Sequence, residues 1–318
     1  MPEIKYSDDV LKNGFEQTTI IQPDDYEGKV VTTLIRKRNS EFSSKAVLYV
    51  HGFNDYFFQK EMAEAFIEKG YHFYAVDLRK YGRSILPNQK MNNLKCISEY
   101  YEDLDAALSI LKKEKNEKIV LSGHSTGGLI VTLYAAERKG SELFDSVFCN
   151  SPFYDMNMPA YQKRILIPII SLIGRIVPNW PISGSFSEFY GMSLHKTDFG
   201  EWEYNLRWKP HVVPTLNMGW INAIHQGHLK MDKAIAIGKS ILILHSKKSV
   251  RISKWDDEIF SGDAILDVND IRVKALNIIA PKRDVIAIDG AIHDMVLSKK
   301  SVRKLVLKTV FDWLEMNL

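Results

Sequence analysis

The stretch "KIVLSGHSTGGLIVTLYAAER", Lys118 to Arg138, runs a short apolar segment into a serine flanked by glycines and resumes at once with helical spacing. A turn that only reversed the chain would use Asn-Gly or Asp-Gly. Here Gly123 and Gly127 bracket Ser125 in the pattern G-x-S-x-G. A strand-turn-helix of this kind forces its central residue into a strained conformation, which is tolerated only where the residues two before and two after carry no side chain. The hydroxyl then projects alone into a cleft. A plain serine N-cap leaves the paired glycines without a reason. A phosphate loop needs a following Lys-Ser/Thr that is missing here. The turn reads as one that presents a nucleophile.

Working outward, strands and helices alternate. "AVLYV", "YHFYAVDL", "KIVLSG", "SVFCNS", "SILILHS" and "DVIAIDGA" read as strands. Between them, "QKEMAEAFIEKG", "ISEYYEDLDAALSILKKEK", "LIVTLYAAERKG", "VNDIRVKALNI" and "SVRKLVLKTVFDWLEM" carry helical spacing. This alternation predicts an α/β fold with a mostly parallel central sheet and helices on both faces. An antiparallel hairpin, "EQTTIIQ" and "KVVTTLIRKR" around "PDDYEG", precedes it. The rhythm lapses over 152–232, which predicts an inserted subdomain between core segments 1–151 and 233–318.

A serine hydroxyl attacks at neutral pH only when a base takes its proton. Of nine histidines, His293 in "AIDGAIHDMVLS" stands at the end of the last strand, just past a bend at Gly290. His124 is predicted to point away from the turn, and His51 precedes a glycine at a strand end. The imidazole in turn needs a carboxylate, expected between serine and histidine in chain order. Asp263 is favoured. Asp267 and Asp270 look like cap or first-turn residues of the next helix, and Asp155 stands at another strand end, so Asp155 and Asp267 stay open. Two backbone donors for a developing oxyanion are expected from Thr126 and from Phe53 in "HGFNDY".

"YVHGF" (49–53), "YAVDLRKYGRS" (74–84), "SGHSTGG" (122–128), "GDAILDVNDI" (262–271) and "GAIHD" (290–294) together resemble the α/β-hydrolase superfamily. Within it they are similar to the branch of monoacylglycerol lipases, lysophospholipases and serine aminopeptidase-like hydrolases. The resemblance covers about residues 30–150 and 238–318. It implies an α/β-hydrolase fold, a triad of Ser125, Asp263 and His293, an oxyanion hole from Phe53 and Thr126, and an insertion that caps the site. The acid stands farther from its strand than in the lipase branch, across "KKSVRISKWDDE".

Composition bounds the rest. With 42 basic against 39 acidic residues spread along the chain, there is no electrostatic footprint for nucleic acid. Cys96 and Cys149 have no metal-knuckle spacing and are expected as buried free thiols, which fits the cytoplasm. Charges occupy the place of a secretory apolar region in "MPEIKYSDDVLKNG", and no apolar run is long enough to span or insert stably in a membrane.

The insertion holds "ILIPIISLIG" (165–174), Trp180, Trp202, Trp208 and Trp220, and Tyr154, Tyr161, Phe186, Phe189, Tyr190, Phe199 and Tyr204. An apolar lining suits an acyl chain, and ordinary core packing accounts for the same residues equally well. His225 and His228 share a helical face, but without a carboxylate or thiol cluster beside them no metal is expected. The expected activity is a serine carboxylester hydrolase acting on a small ester or lipid-like substrate, with no cofactor. A serine aminopeptidase would need an acidic pocket, for which Glu188, Glu201 and Glu203 are candidates. A non-catalytic small-molecule receptor is the third reading.

Overall fold

The computed structural model of the chain describes residues 4–41, 43–182 and 187–318. The strands of its main sheet are β1 (Ser7–Asp8), β2 (Glu16–Asp25), β3 (Gly28–Lys37), β4 (Lys45–Val50), β5 (His72–Asp77), β6 (Lys118–His124), β7 (Ser146–Asn150), β8 (Ser240–Ser246) and β9 (Arg283–Ile288). They form one sheet in the order β1-β2-β3-β5-β4-β6-β7-β8-β9. From β5 to β9 every neighbouring pair is parallel, whereas β1, β2 and β3 add antiparallel strands at one edge. The hairpin turn is tighter than the sequence predicts. β2 continues through Pro23 to Asp25, and the reversal is left to Tyr26, Glu27 and Gly28 at φ +89°. Proline has no N–H to give a ladder, and the pairing register shifts where Pro23 stands, between Gln22 and Asp25.

The helices are α1 (Lys60–Glu68), α2 (Glu99–Lys113), α3 (Thr126–Glu137), α4 (Ile167–Gly174), α5 (Phe189–Leu194), α6 (Met218–Met231), α7 (Val268–Ala275) and α8 (Lys300–Asn317). Period-two alternation sorts the strand side chains between two cores. Ala46, Leu48 and Val50 of β4 join a cluster with α2 and α3, while Val47 and Tyr49 join one with α1 and α8. α3 is buried from Thr126 to Ala135, as its apolar surface all round requires. From β4 the chain goes out to β5 on one side and returns to β6 on the other. That makes the carboxyl ends of β4 and β6 a switch point, where open α/β sheets leave a crevice for ligands.

Among the described residues from 151 to 239, none adds a strand to this sheet. α6 anchors the inserted segment by placing Trp220, Ile221 and Ile224 in the α2–α3 core. α4 lies against it so closely that a Cβ on Gly174 would stand 2.3 Å from the Met218 carbonyl oxygen. The apolar stretch from Ile165 to Gly174 follows the core-packing reading only in part, through Ile167 in the α2–α3 core and Ile170 packed against it. Ile167, Ser171 and Gly174 face α6, but Ile165, Ile169, Leu172 and Ile173 are exposed, because a short helix packed on a single neighbour buries only one side.

Cys149 is buried, whereas Cys96, expected inside, is exposed. It belongs to a turn before α2 whose backbone is held by the Glu99 carboxylate, leaving the thiol outside. No described helix is long and apolar enough to cross a membrane.

Candidate active site

Ser125 is the single residue between β6 and α3, at φ +53° and ψ −117°, outside every region comfortable for an L-residue. Neighbouring atoms hold it there. Its N–H donates to the Asn150 carbonyl, and its own carbonyl accepts from Phe153 and Leu129. A Cβ at position 123 would fall 2.4 Å from the Gly127 oxygen, and one at 127 would fall 2.3 Å from the Val50 oxygen. The two glycines let β4, β6 and α3 meet beneath the serine.

The imidazole of His293 stands over Ser125, with Nε2 3.0 Å from Oγ and Nδ1 2.9 Å from Asp263 Oδ2. The other Asp263 oxygen accepts from the N–H groups of Ile265 and Leu266, each at 2.8 Å. The long "KKSVRISKWDDE" stretch is a side excursion. Asp263 N–H donates to the Lys248 carbonyl and Val250 N–H to the Asp263 carbonyl, so the loop closes on itself and returns the carboxylate to the end of β8.

The other acids go elsewhere. Asp155 pairs with Lys163 and Lys274, Asp267 caps α7 through the Asn269 N–H, and Asp270 lies on Lys163.

His124, expected to point away, packs its ring 4.8 Å from that of His293, and Tyr190 stands edge-on to His293 at 5.8 Å. Burial pushes the His124 pKa down and keeps the ring neutral, with Nδ1 at the Asn150 carbonyl. Tyr190 reaches the site from α5 and accepts a hydrogen bond from the Asp294 N–H, while Asn150 and Gln59 hold the Asp294 carboxylate. Nothing local marks Tyr190 or Gln59, since each arrives from a distant element.

His51 is structural. Its Nε2 accepts the Leu78 N–H, so its proton lies on Nδ1, which donates to the Gly52 carbonyl. This sets the loop after β4. A Cβ on Gly52 would stand 3.0 Å from Ser125 Cβ, so glycine there eases the close run of the 51–53 backbone beside the serine. Phe53 and Thr126 both line the cavity there. Thr126 also opens α3, where the first N–H groups have no helical acceptor.

That cavity, of about 320 Å³, is lined by Phe153, Met156, Met158, Trp220, Ile265 and Leu266 among its apolar residues. Its polar residues include Asn54, Asp55, Lys209 and His211. Lys209 Nζ is 3.1 Å from Asp55, the only carboxylate among the described lining residues. Asn54 Oδ1, Thr126 Oγ1 and His211 Nε2 are buried without hydrogen-bond partners among the described residues.

Of the aromatic residues singled out in the insertion, Tyr190, Tyr204 and Trp220 line the cavity, Tyr154 sits in the core, and Phe186 lies outside the described residues. Glu201 is bonded to Arg303 and Glu203 to Lys196, and Glu188 is not among the lining residues, so these three form no acidic pocket. His228 Nε2 donates to the Phe153 carbonyl, and neither it nor His225 joins a group of three ligand side chains among the described residues.

Residues 43–250 match the family described as "Serine aminopeptidase, S33". The chain belongs to this family. The match spans the β4 loop and Ser125 of this S33 member but ends before Asp263 and His293. A relative, the AB hydrolase superfamily protein YisY of Bacillus subtilis (strain 168), is 25% identical over 222 residues, covering 67% of this chain and 76% of its own. Among solved structures, a soluble variant of monoglyceride lipase from Saccharomyces cerevisiae superposes with a TM-score of 0.66 at 18% identity, covering 99% of this chain and 95% of that one. The monoacylglycerol lipase of Paleococcus ferrophilus gives 0.66 at 18% identity over 90% and 98%. Est1E from Butyrivibrio proteoclasticus with bound ferulic acid gives 0.58 at 15% identity over 94% and 98%. This S33 member therefore has the α/β-hydrolase fold, and its family is one of hydrolases.

Proposed function

We propose that this S33-family hydrolase is a serine carboxylester hydrolase working through an acyl-enzyme on Ser125. The observation that carries the reading is the continuous hydrogen-bond chain from Ser125 Oγ through His293 to Asp263 at an apolar cavity. Oγ attacks the ester carbonyl as His293 Nε2 takes its proton. Asp263 keeps the other proton on Nδ1 and stabilises the imidazolium. The Phe53 and Thr126 N–H groups receive the oxyanion. Collapse of the intermediate expels the alcohol, which leaves with the proton from His293. Water then repeats the sequence on the acyl-enzyme, again with His293 as base, and releases the acid. No cofactor takes part.

The apolar residues suit an acyl chain, and the unpartnered Asn54, Thr126 and His211 atoms suit the hydroxyls of a polar alcohol, a lipid-like ester being one such substrate. The monoglyceride and monoacylglycerol lipases among the structural neighbours agree with that class. Residues 152–232 act as a cap, contributing Phe153, Met156, Tyr190 and Trp220 to the cavity. The ester reading is preferred to an aminopeptidase because the cavity carboxylate, Asp55, already holds Lys209, leaving none among the described lining residues to receive a substrate ammonium. Two free cysteines fit a cytoplasmic location.

The test is covalent labelling with a fluorophosphonate alongside turnover of p-nitrophenyl esters of graded chain length and of aminoacyl-anilides. One label per chain, lost in Ser125→Ala, with esters preferred, is the expected result. Preference for the anilides favours the peptidase, and neither labelling nor turnover favours a receptor.

A further inference from the structure

We propose that the inserted segment carries a binding site for a divalent transition-metal ion, zinc by its donor set, formed by His195, Asp198 and His211. Each offers a ligand atom within 4.8 Å of the other two. His211 Nδ1 is 3.8 Å from Asp198 Oδ2. In a tetrahedral zinc site with bonds of about 2.0–2.1 Å, neighbouring ligand atoms stand about 3.4 Å apart, so side-chain rotations of small amplitude close the cluster on an ion.

The tautomer of His195 is already set for this role. Its Nε2 lies 3.1 Å from the Tyr204 carbonyl, which only accepts, so the proton is on Nε2 and Nδ1 carries a lone pair. A backbone carbonyl receiving the far N–H is how metal-bound histidines are held. The lone pair faces Thr197, whose hydroxyl is 2.8 Å away, with its N–H the longer contact at 3.3 Å. The same hydroxyl is 3.1 Å from Asp198 Oδ2, so the O–H and N–H of Thr197 are the donors that both acceptors share. An ion among the three side chains would take these lone pairs in place of Thr197.

The surroundings are built for close approach. A Cβ on Gly191 would fall 2.8 Å from His211 Cδ2 and 3.0 Å from its Cα, so the missing side chain lets His211 pack against α5. The rings of Tyr204 and His211 stand edge-on to His195 at 4.6 and 5.7 Å. Asp198 and His211 keep side-chain exposures of 26% and 16%, a route for an ion from solvent to the buried His195. Two imidazoles and one carboxylate with a fourth position open to water suit zinc better than calcium or magnesium, which take oxygen ligands. Asp55, His124 and Asp294 are equally close to one another, but Lys209 occupies Asp55, and Asn150 and Gln59 occupy Asp294. His211 also lines the cavity over Ser125, so the ion would tie that wall to α5. None of this depends on the ester reading.

The test titrates the metal-free protein with zinc chloride by calorimetry and with cobalt(II) by visible absorption, at neutral pH. The expected result is one ion per chain at micromolar or tighter affinity, with the intense bands of four-coordinate cobalt. Asp198→Asn and His211→Gln each weaken binding at least about tenfold. Glu203→Gln, in the same segment but paired with Lys196, leaves it unchanged. Circular dichroism checks folding, and the part-exposed Asp198 keeps the test open should the His211 variant misfold. Binding no tighter than millimolar, wild-type binding by a folded variant of either residue, or loss on His124→Asn instead overturns the proposal.

Discussion

Replacing Asp263 by asparagine changes one atom and almost no volume, yet the proposed mechanism predicts a large kinetic effect. One carboxylate oxygen accepts from Ile265 and Leu266, and the other accepts from His293 Nδ1. An amide has a single acceptor oxygen. If its NH2 faced the two backbone donors, both would be buried without an acceptor, at about 1–3 kcal/mol each. If its NH2 faces His293, the ring can shift its proton to Nε2 and accept from the amide through Nδ1, with no buried group left unpaired. The second arrangement wins. It aims an N–H at Ser125 Oγ across 3.0 Å, so the ring can no longer take the serine proton.

The expected loss in kcat/KM is about 10⁴-fold, the penalty for a wrong tautomer in serine-histidine-acid sites, or about 5.4 kcal/mol of transition-state stabilisation. KM should barely move, because Asp263 does not line the cavity. The assay is initial rates on p-nitrophenyl butyrate with the fluorophosphonate labelling rate in parallel, since both steps need the same base. Asp155→Asn and Asp267→Asn, whose bonds lie elsewhere, should change kcat/KM by less than about threefold. An Asp263→Asn protein with more than about a tenth of wild-type activity would refute the assignment of the acid.

Gly127→Ala should destabilise the fold by about 3 kcal/mol, because its Cβ would meet the Val50 and His51 carbonyl oxygens at 2.3 and 2.4 Å and backbone cannot step aside. Gly140→Ala, with nothing within 4 Å, should stay within about 0.5 kcal/mol; equal urea midpoints for the two would remove the steric argument. His228 bears on pH. Burial depresses its pKa to about 4, outweighing the nearby Asp155 carboxylate. Above its unfolded value near 6.5 both states are neutral and the contribution is complete. As pH falls below about 6.5 the unfolded chain binds the proton first, and stability drops by about 1.4 kcal/mol per unit until the folded ring titrates near pH 4. His228→Gln should flatten the slope of unfolding free energy between pH 6.5 and 4 by one proton, and a slope unchanged from wild type contradicts the account.

Some of this molecule could be read from the chain alone. The backbone at Ser125 is decided by contacts among Gly123, Gly127 and the strand ends beside them, so five residues state the demand and glycine meets it. Period-two and period-3.6 patterns likewise act over a few residues, and they locate the strands of the parallel sheet and the helices that cover it.

What stayed out of reach is settled by pairing between distant segments. The sequence favours Asp263 but leaves Asp155 and Asp267 open. Only the closure of the excursion through Lys248 and Val250 brings Asp263 to His293, while Lys163 and Lys274 capture Asp155. Glu201 and Glu203 were claimed by Arg303 and Lys196, and the apolar run from Ile165 turned outward because α6 offered it a single face. Steric and periodic demands act within a turn or two of chain, but the partner a charged group finds depends on which segments folding brings within a few ångströms. That choice belongs to the tertiary structure.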